Sequence, residues 1–198
     1  MNARKSAGPG PSRLVRALRR WGVLREPTPP KGPETDLDVR MMRRALDLAR
    51  RAAALGEAPI GAGVYETASG VVLAKAHNLR EKTGDPTGHA ELMAIRDAAM
   101  KRGDWRLNDC TLVVTLEPCP MCAGAIVNAR VGRLVYGAAD PKAGAVDTLY
   151  RICSDPRLNH RVAPIGGVCA EEAGELLTMF FRQRREARKT KKRAAGTG

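Results

Sequence analysis

The stretch that decides the fold is TLVVTLEPCPMCAGAIVNARVGRLVYGA, residues 111–138. Its first part, TLVVTLE (111–117), is apolar and rich in β-branched residues, which predicts a buried strand. CPMCAGAIVNAR (119–130) is predicted to form a helix, and RLVYGA (133–138) returns to a strand. A strand, a helix and a second strand in this order indicate an α/β domain.

The sequence before this stretch has its own regular elements. Apolar residues repeat every three or four positions between residues 36 and 55, which predicts an amphipathic helix closed by Gly56 and Pro59. IGAGVYE (60–66) and VVLAKA (71–76) flank TASG and predict a β-hairpin. A hairpin followed by alternating helices and strands predicts a three-layer α/β/α domain around a central mixed β-sheet.

The remaining segments are assigned by the same periodicities. Residues 78–88 are predicted to be a polar loop, and HAELMAIRDAAMKRG (89–103) a helix with a buried stripe of Leu92, Ile95, Ala99 and Met100. Three elements follow: a short helix near residues 146–152, a strand near 161–165, and a long helix from about Ala170 into the basic C-terminus.

The net charge of +13 is concentrated at the two ends of the chain. Residues 1–35 hold eight Lys or Arg against two acidic residues, and residues 179–198 hold eight against Glu186 alone. Basic ends on a neutral centre favour a polyanionic partner, although such ends are also typical of solvated tails. We therefore predict a catalytic domain over 36–181, a flexible basic extension over 1–35 and a basic helix end over 182–198.

The N-terminal extension contains SRLVRALRRWGVLR (12–25), which predicts a short basic amphipathic helix. Its lack of acidic residues is similar to an organellar transit peptide, and the Pro-rich link at 27–33 separates it from the domain. No apolar run approaches the roughly 20 residues that a membrane-spanning helix needs. We expect a cytoplasmic protein without a membrane partner, and organellar targeting by residues 1–35 stays an alternative.

Three residues form the candidate metal site. Cys119 and Cys122 are three positions apart at the start of a predicted helix, so both sulfurs lie on one face, and His89 opens another helix. One imidazole and two thiolates suit zinc and leave the fourth tetrahedral position for water. Glu91 lies two residues from His89 and is free to move protons as a general acid and base.

Each part of this constellation is weak alone. An HxE triplet arises readily by chance, and a structural zinc site normally has a second CxxC, which this chain lacks. An odd number of cysteines without an export signal argues against a disulfide framework. The other cysteines lie in or beside apolar stretches and are interpreted as core residues: Cys110, Cys153 and Cys169.

The order of the motifs carries the resemblance. HxE, a helix, a strand and PCxxC is the signature of zinc-dependent nucleobase deaminases. The chain further resembles the bacterial tRNA-specific adenosine deaminases from about Asp36 to Arg193, in DPTGHAELMAIR, LNHRVAPIGGV and FFRQRR. The resemblance implies a cytidine-deaminase-like fold, a homodimer with one Zn²⁺ per subunit, and conversion of wobble adenosine to inosine in the anticodon loop of an arginine tRNA.

The same resemblance implies roles for seven residues. His89, Cys119 and Cys122 match the zinc ligands and Glu91 the proton shuttle. The matches in the substrate site are Asn78, to a purine-contacting asparagine, and Asp140 and Lys142, to positions near the bound RNA backbone. Read without the family, Asn78 could cap a turn and Asp140 could start one. Residues 1–35 have no counterpart, so a translation start near Met41 stays open.

Two other functions remain alternatives. One is a deaminase of a free base or nucleoside, such as guanine or cytidine, and the other is a catalytically silent RNA-binding subunit. The basic segment FFRQRREARKTKKR (180–193) favours RNA, because a free base offers a cationic helix nothing to neutralise. Glu91 counts against a silent subunit, since zinc binding does not need that carboxylate.

Overall fold

A computed structural model describes residues 34–162 and 164–195 of the chain. The helices are α1 (Asp36–Ala54), α2 (Arg80–Thr83), α3 (Ala90–Arg102), α4 (Pro120–Asn128) and α5 (Ala170–Ala195), with a short 3₁₀ helix at Ile152–Ser154. The strands are β1 (Gly61–Glu66), β2 (Val72–His77), β3 (Cys110–Leu116), β4 (Arg133–Ala138) and β5 (Pro164–Ile165). Most bounds lie within two residues of the prediction.

One five-stranded sheet organises the described chain, in the order β2-β1-β3-β4-β5. The hairpin β1–β2 and the pair β1–β3 are antiparallel, whereas β3–β4 and β4–β5 are parallel. The parallel pair β3–β4 is joined by α4, since parallel neighbours need a crossover connection. The predicted hairpin and mixed sheet are confirmed.

The alternation of side chains along β3 explains the three layers. Leu112 and Val114 belong to the hydrophobic cluster that includes residues of α3 and α4. Val113, between them, belongs to a second cluster with residues of α1 and α5. Because successive strand residues point to opposite faces, the sheet is covered on both sides. The predicted α/β/α architecture is thereby confirmed.

The buried face of α3 differs from the predicted stripe. Its buried residues begin with Ala90 and Glu91 and continue with Ala94, Ile95 and Ala98. Met100, assigned to the stripe, is 68% exposed. Alanine side chains are small and let the helix lie close to the sheet. The face that carries the alanines is therefore buried, rather than the face that carries Met100.

The segments after β4 are less regular than predicted. The predicted helix near residues 146–152 does not form, because the N–H groups of Leu149 and Ile152 donate to Gly144 O and Ala145 O instead of to carbonyls four residues back, and the 3₁₀ helix begins at Ile152. The predicted strand at 161–165 shortens to β5, since the N–H of Val162 donates instead to Cys153 O. The polar loop at 78–88 contains the single-turn helix α2.

A buried ion pair joins α1 to the centre of the sheet. The Asp38 carboxylate, fully buried, accepts bonds from the Arg133 guanidinium and, at 2.5 Å, from the Tyr65 hydroxyl. Burial pushes the pKa of Asp38 upward, but the bonds from Arg133 and Tyr65 outweigh it and lower the pKa to about 2. Asp38 is therefore a buried anion that depends on its partners.

The C-terminal prediction is confirmed as one continuous helix, α5, which runs through position 182 without a break. The predicted amphipathic helix at 12–25 lies outside the described residues. Among the residues that are described, no helix is long and apolar enough to cross a membrane.

Candidate active site

Three side chains from two separate segments meet at one end of the sheet. The Nδ1 atom of His89 lies 3.7 Å from Cys119 Sγ and 3.5 Å from Cys122 Sγ. In the described part of the chain, these three residues form the one group of at least three His, Cys, Asp or Glu side chains whose donor atoms lie within 4.8 Å of one another. The structure therefore brings together the residues that the motif spacing had assigned to one site.

Helix starts place these donors. His89 is the N-cap residue of α3 and Cys119 the N-cap residue of α4, while Cys122 lies in the first turn of α4. Neither residue makes a side-chain capping hydrogen bond, so both side chains stay available to a ligand. The positive ends of two helix dipoles converge on this point and favour thiolate over thiol.

The donor separations fit a tetrahedral zinc ion. With Zn–S near 2.3 Å and Zn–N near 2.05 Å, tetrahedral ligands stand roughly 3.6 Å apart for a sulfur and a nitrogen. The observed 3.5 and 3.7 Å bracket that value. His89, Cys119 and Cys122 could therefore hold a zinc ion through three positions and leave the fourth for a small ligand.

The two thiols differ in acidity. Hydrogen bonds from the Cys122 thiol and from His89 lower the pKa of Cys119 to about 4, in spite of its partial burial. The pKa of Cys122 is raised, because its thiol is engaged with Cys119 and is buried. The pKa of His89 is raised mainly by its bond to Cys119. The surroundings therefore favour a thiolate at Cys119 over one at Cys122.

Glu91 is the unusual group of the site. It is only 4% exposed, and among the described residues its Oε2 atom has no hydrogen-bond partner. Burial raises the pKa of this carboxyl group above its usual range. A buried oxygen without a partner costs on the order of 1 to 3 kcal/mol, which a ligand or a water in the site would offset.

Asn78 is held by a buried carboxylate. Its Nδ2 donates to Glu57 Oε2 at 3.0 Å, and Glu57 also accepts the backbone N–H groups of Glu81 and Lys82. The neighbouring N–H of Leu79 donates to Gly88 O, which puts this segment beside His89. The Asn78 amide is therefore held in one orientation beside the segment that carries His89.

Asp140 and Lys142 lie in the loop after β4. Asp140 Oδ1 accepts the backbone N–H groups of Lys142 and Ala143, so its side chain organises a turn, as the reading without the family had suggested. Lys142 is exposed. The N–H of Asp140 donates to Glu117 Oε2 at 3.0 Å, which ties this loop to the segment that ends in Cys119.

Sequence reasoning missed Glu57 and Glu117. Both carboxylates are buried and accept backbone N–H groups from distant loops. Glu117 left one usable signal, because an acidic residue at the end of the apolar run TLVVTLE has a low chance of being buried without partners. Glu57, in a polar turn, left none.

The basic helix α5 is anchored by one aromatic ring. Phe180 is 7% exposed, whereas Phe181 is 43% exposed. The Arg184 guanidinium stacks over Phe180 and lies 3.9 Å from Glu81. Of these two adjacent aromatic residues, Phe180 is buried against the core, and Phe181 remains available to a partner.

The chain shares its sequence and fold with known deaminases. The model of the MafB19-like deaminase family matches residues 37–185. The chain is 44% identical over 158 residues to the tRNA-specific adenosine deaminase of Haemophilus influenzae, which covers 80% of this chain and 91% of that relative.

Two solved structures extend the comparison. One, from work on A-to-I editing by tRNA:A34 deaminases at the wobble position of transfer RNA, superimposes with a TM-score of 0.66 at 43% identity, over 70% of this chain and 99% of the other. A guanine deaminase from Nitrosomonas europaea gives a TM-score of 0.61 at 26% identity, over 91% and 97%. The fold is therefore shared by deaminases of different purines.

Proposed function

The chain belongs to the tRNA-specific adenosine deaminases, and from that membership we propose that it converts adenosine to inosine by hydrolysis at the wobble position of a tRNA anticodon. The relative from Haemophilus influenzae that carries this name is matched over 91% of its own length. The observation that carries the proposal is the buried Glu91 carboxylate, with one oxygen unpaired among the described residues, beside the cluster His89, Cys119 and Cys122.

The residues divide the chemistry between them. His89, Cys119 and Cys122 would hold one Zn²⁺ per subunit, which when bound lowers the pKa of a water from about 15.7 to roughly 7. Glu91 accepts a proton from the attacking water and passes it to the adenine ring nitrogen beside the attacked carbon. It then takes the remaining proton of the added hydroxyl group and passes it to the amino group, which leaves as ammonia while the carbonyl group of inosine forms. One water is consumed, and inosine and ammonia are formed.

The choice of RNA over a free base rests on three supports. The relative named for tRNA is 44% identical, whereas the guanine deaminase neighbour is 26% identical. Helix α5 continues the core into a segment dense in Arg and Lys, which a polyanion would neutralise. The family resemblance further favours an arginine tRNA and assigns Asn78 to the base and Asp140 and Lys142 to the RNA backbone.

We also propose the domain boundaries, the oligomeric state and the location of the protein. We assign residues 36–181 to the deaminase domain, 1–35 to a basic extension and 182–198 to a basic helix end. A homodimer is supported by the resemblance and by exposed apolar side chains, which an interface would cover: Trp105, Leu149 and Tyr150. A cytoplasmic location is expected for a tRNA-modifying enzyme of bacterial type.

One assay of three separate substrates tests the function. The purified protein is incubated separately with an arginine tRNA anticodon stem-loop, with guanine and with cytidine, and released ammonia is measured. We expect ammonia from the stem-loop, with inosine at the wobble position, and none in the Glu91→Gln control. Ammonia from guanine or cytidine alone would identify a free-base deaminase, and RNA binding without ammonia would identify a silent subunit.

A further inference from the structure

Glu117 is a buried carboxylate that the proposed chemistry does not use. It is 2% exposed and stands between the end of β3 and the metal-site residue Cys119. Its Oε1 atom accepts the backbone N–H groups of Val146, Asp147 and Thr148 at 3.1, 2.8 and 2.9 Å. Its Oε2 atom accepts the N–H of Asp140 at 3.0 Å and the Thr148 hydroxyl. Five donors therefore converge on one anion.

The loop is shaped around this anion. The N–H of Gly144 donates to Asp140 O, and the N–H of Ala145 donates to Pro118 O at 2.8 Å. A Cβ atom at position 144 would overlap the Glu117 carboxylate and lie 2.6 Å from Asp140 O. Glycine at 144 is thus what allows residues 140–148 to close over Glu117.

The chemistry of the donors requires a carboxylate. Backbone N–H groups can only donate, and a carboxylate offers acceptors alone. Glutamine has the same shape, but its amide nitrogen would face donors with further donors and would leave a buried N–H unpaired. The charge at 117 therefore serves the geometry of the loop, since no cation pairs with it among the described residues.

The held loop forms one wall of a cleft between the end of the sheet and α5. The cleft has a volume of about 530 Å³, and its walls include Asp140 and Lys142 on one side and Phe181 and Arg185 of α5 on the other. A displacement of the loop would move Lys142 relative to Arg185. Because Glu117 is two residues from Cys119, the same side chain fixes this wall relative to the metal ligands.

We propose that Glu117 is a positioning residue that holds Lys142 in register with the metal centre, so that a phosphate of the RNA is bound at a set distance from the reacting base. The inference rests on the proposed function, because it requires an RNA substrate. It assigns Glu117 no contact with the substrate and no proton transfer.

The first experiment measures how firmly the loop is held, in the absence of RNA. Glu117→Gln is compared with wild type and with Thr148→Val, a control that removes one hydroxyl donor and keeps the carboxylate and every backbone bond. Trypsin cleavage after Lys142, read by mass spectrometry in the zinc-loaded protein, reports how firmly the loop is held. We expect faster cleavage in Glu117→Gln and near wild-type cleavage in Thr148→Val.

A second experiment tests whether Glu117 affects RNA binding through Lys142. Binding of the anticodon stem-loop is measured by fluorescence anisotropy across a salt series. Glu117→Gln should raise Kd about fivefold and flatten the slope of log affinity against log salt by about 0.7, the share of one phosphate. Lys142→Ala should do the same, and combining both should add nothing further. If Glu117→Gln does not fold, Gly144→Ala is measured in its place, with the same expected results.

Three results would overturn the inference. Unchanged trypsin cleavage in Glu117→Gln means that the carboxylate does not hold the loop. Additive effects in the double variant, or an unchanged salt slope, mean that Glu117 does not act through Lys142. If wild type itself shows no salt-dependent RNA binding, the proposed function fails, and so does the role of Glu117 in RNA binding. The trypsin result still decides whether Glu117 holds the loop.

Discussion

Protonation of Asp38 should remove a measurable part of the stability of the fold. The folded carboxyl has a pKa of about 2, against an ordinary value of 3.8, because the bonds from Arg133 and Tyr65 outweigh its burial. At 1.36 kcal/mol for each pH unit, that interval corresponds to about 2.5 kcal/mol of unfolding free energy. Since the folded pKa is depressed, this contribution is complete above pH 5 and is lost as the pH falls through 3.8 towards 2.

The matched variant is Asp38→Asn, which keeps the shape and removes the titration. At pH 7 it should lower the unfolding free energy by about 3 to 5 kcal/mol, because it leaves the Arg133 charge buried without its partner. Urea unfolding of both proteins, followed by circular dichroism between pH 7 and pH 3, gives the difference at each pH. Titration of groups distant from Asp38 affects both proteins alike and cancels in that difference.

The gap between wild type and Asp38→Asn should shrink by about 1 kcal/mol between pH 7 and pH 3. Tyr65→Phe, which removes one of the bonds to Asp38 and keeps the ion pair, should lower stability by about 1 kcal/mol at pH 7. A gap that stays constant from pH 7 to pH 3 would show that Asp38 is not held as an anion by these partners.

Three further predictions concern the site and the tail. Purified protein should carry about one zinc per chain, and Cys119→Ser or Cys122→Ser should lose metal and activity together; stoichiometric zinc in the double variant, measured by mass spectrometry, would refute the ligand assignment. Glu91→Ala should keep zinc and RNA affinity while kcat falls at least about 100-fold, and a near wild-type rate would mean that another residue moves the protons. Deletion of residues 182–198 should weaken stem-loop binding and reduce its salt slope by a few multiples of about 0.7 with zinc retained, whereas equal binding at every salt concentration would make the tail a solvated helix end.

The local periodicities were sufficient for most of the fold. The strand of TLVVTLE and the helices α1, α4 and α5 follow from patterns that span a few turns or one strand, and the structure confirms them. The proximity of His89, Cys119 and Cys122 was also predictable in outline, because a three-residue cysteine spacing at a helix start brings two sulfurs to one face.

The features that were missed depend on contacts between distant residues. Asp38 and Arg133 are 95 positions apart, and nothing in either local pattern indicates their pairing. Glu117 accepts the N–H groups of Val146, Asp147 and Thr148, which are 29 to 31 positions away, and nothing in either local pattern indicates these contacts. The buried face of α3 was predicted wrongly, because the spacing of apolar residues does not show how closely the helix lies against the sheet.

The order of the strands also restricts how copies of this protein can associate. On one side the sheet ends in β5, which is two residues long and begins with Pro164, a residue without an N–H to donate. On the other side it ends in β2, where Lys75 is exposed and Lys101 Nζ donates to the carbonyl of Val72. Short, proline-bearing and lysine-bearing edges discourage strand addition between molecules and so protect against aggregation through the backbone. A partner chain would therefore meet the helical faces and loops of the described domain, where side chains would decide which partner is accepted.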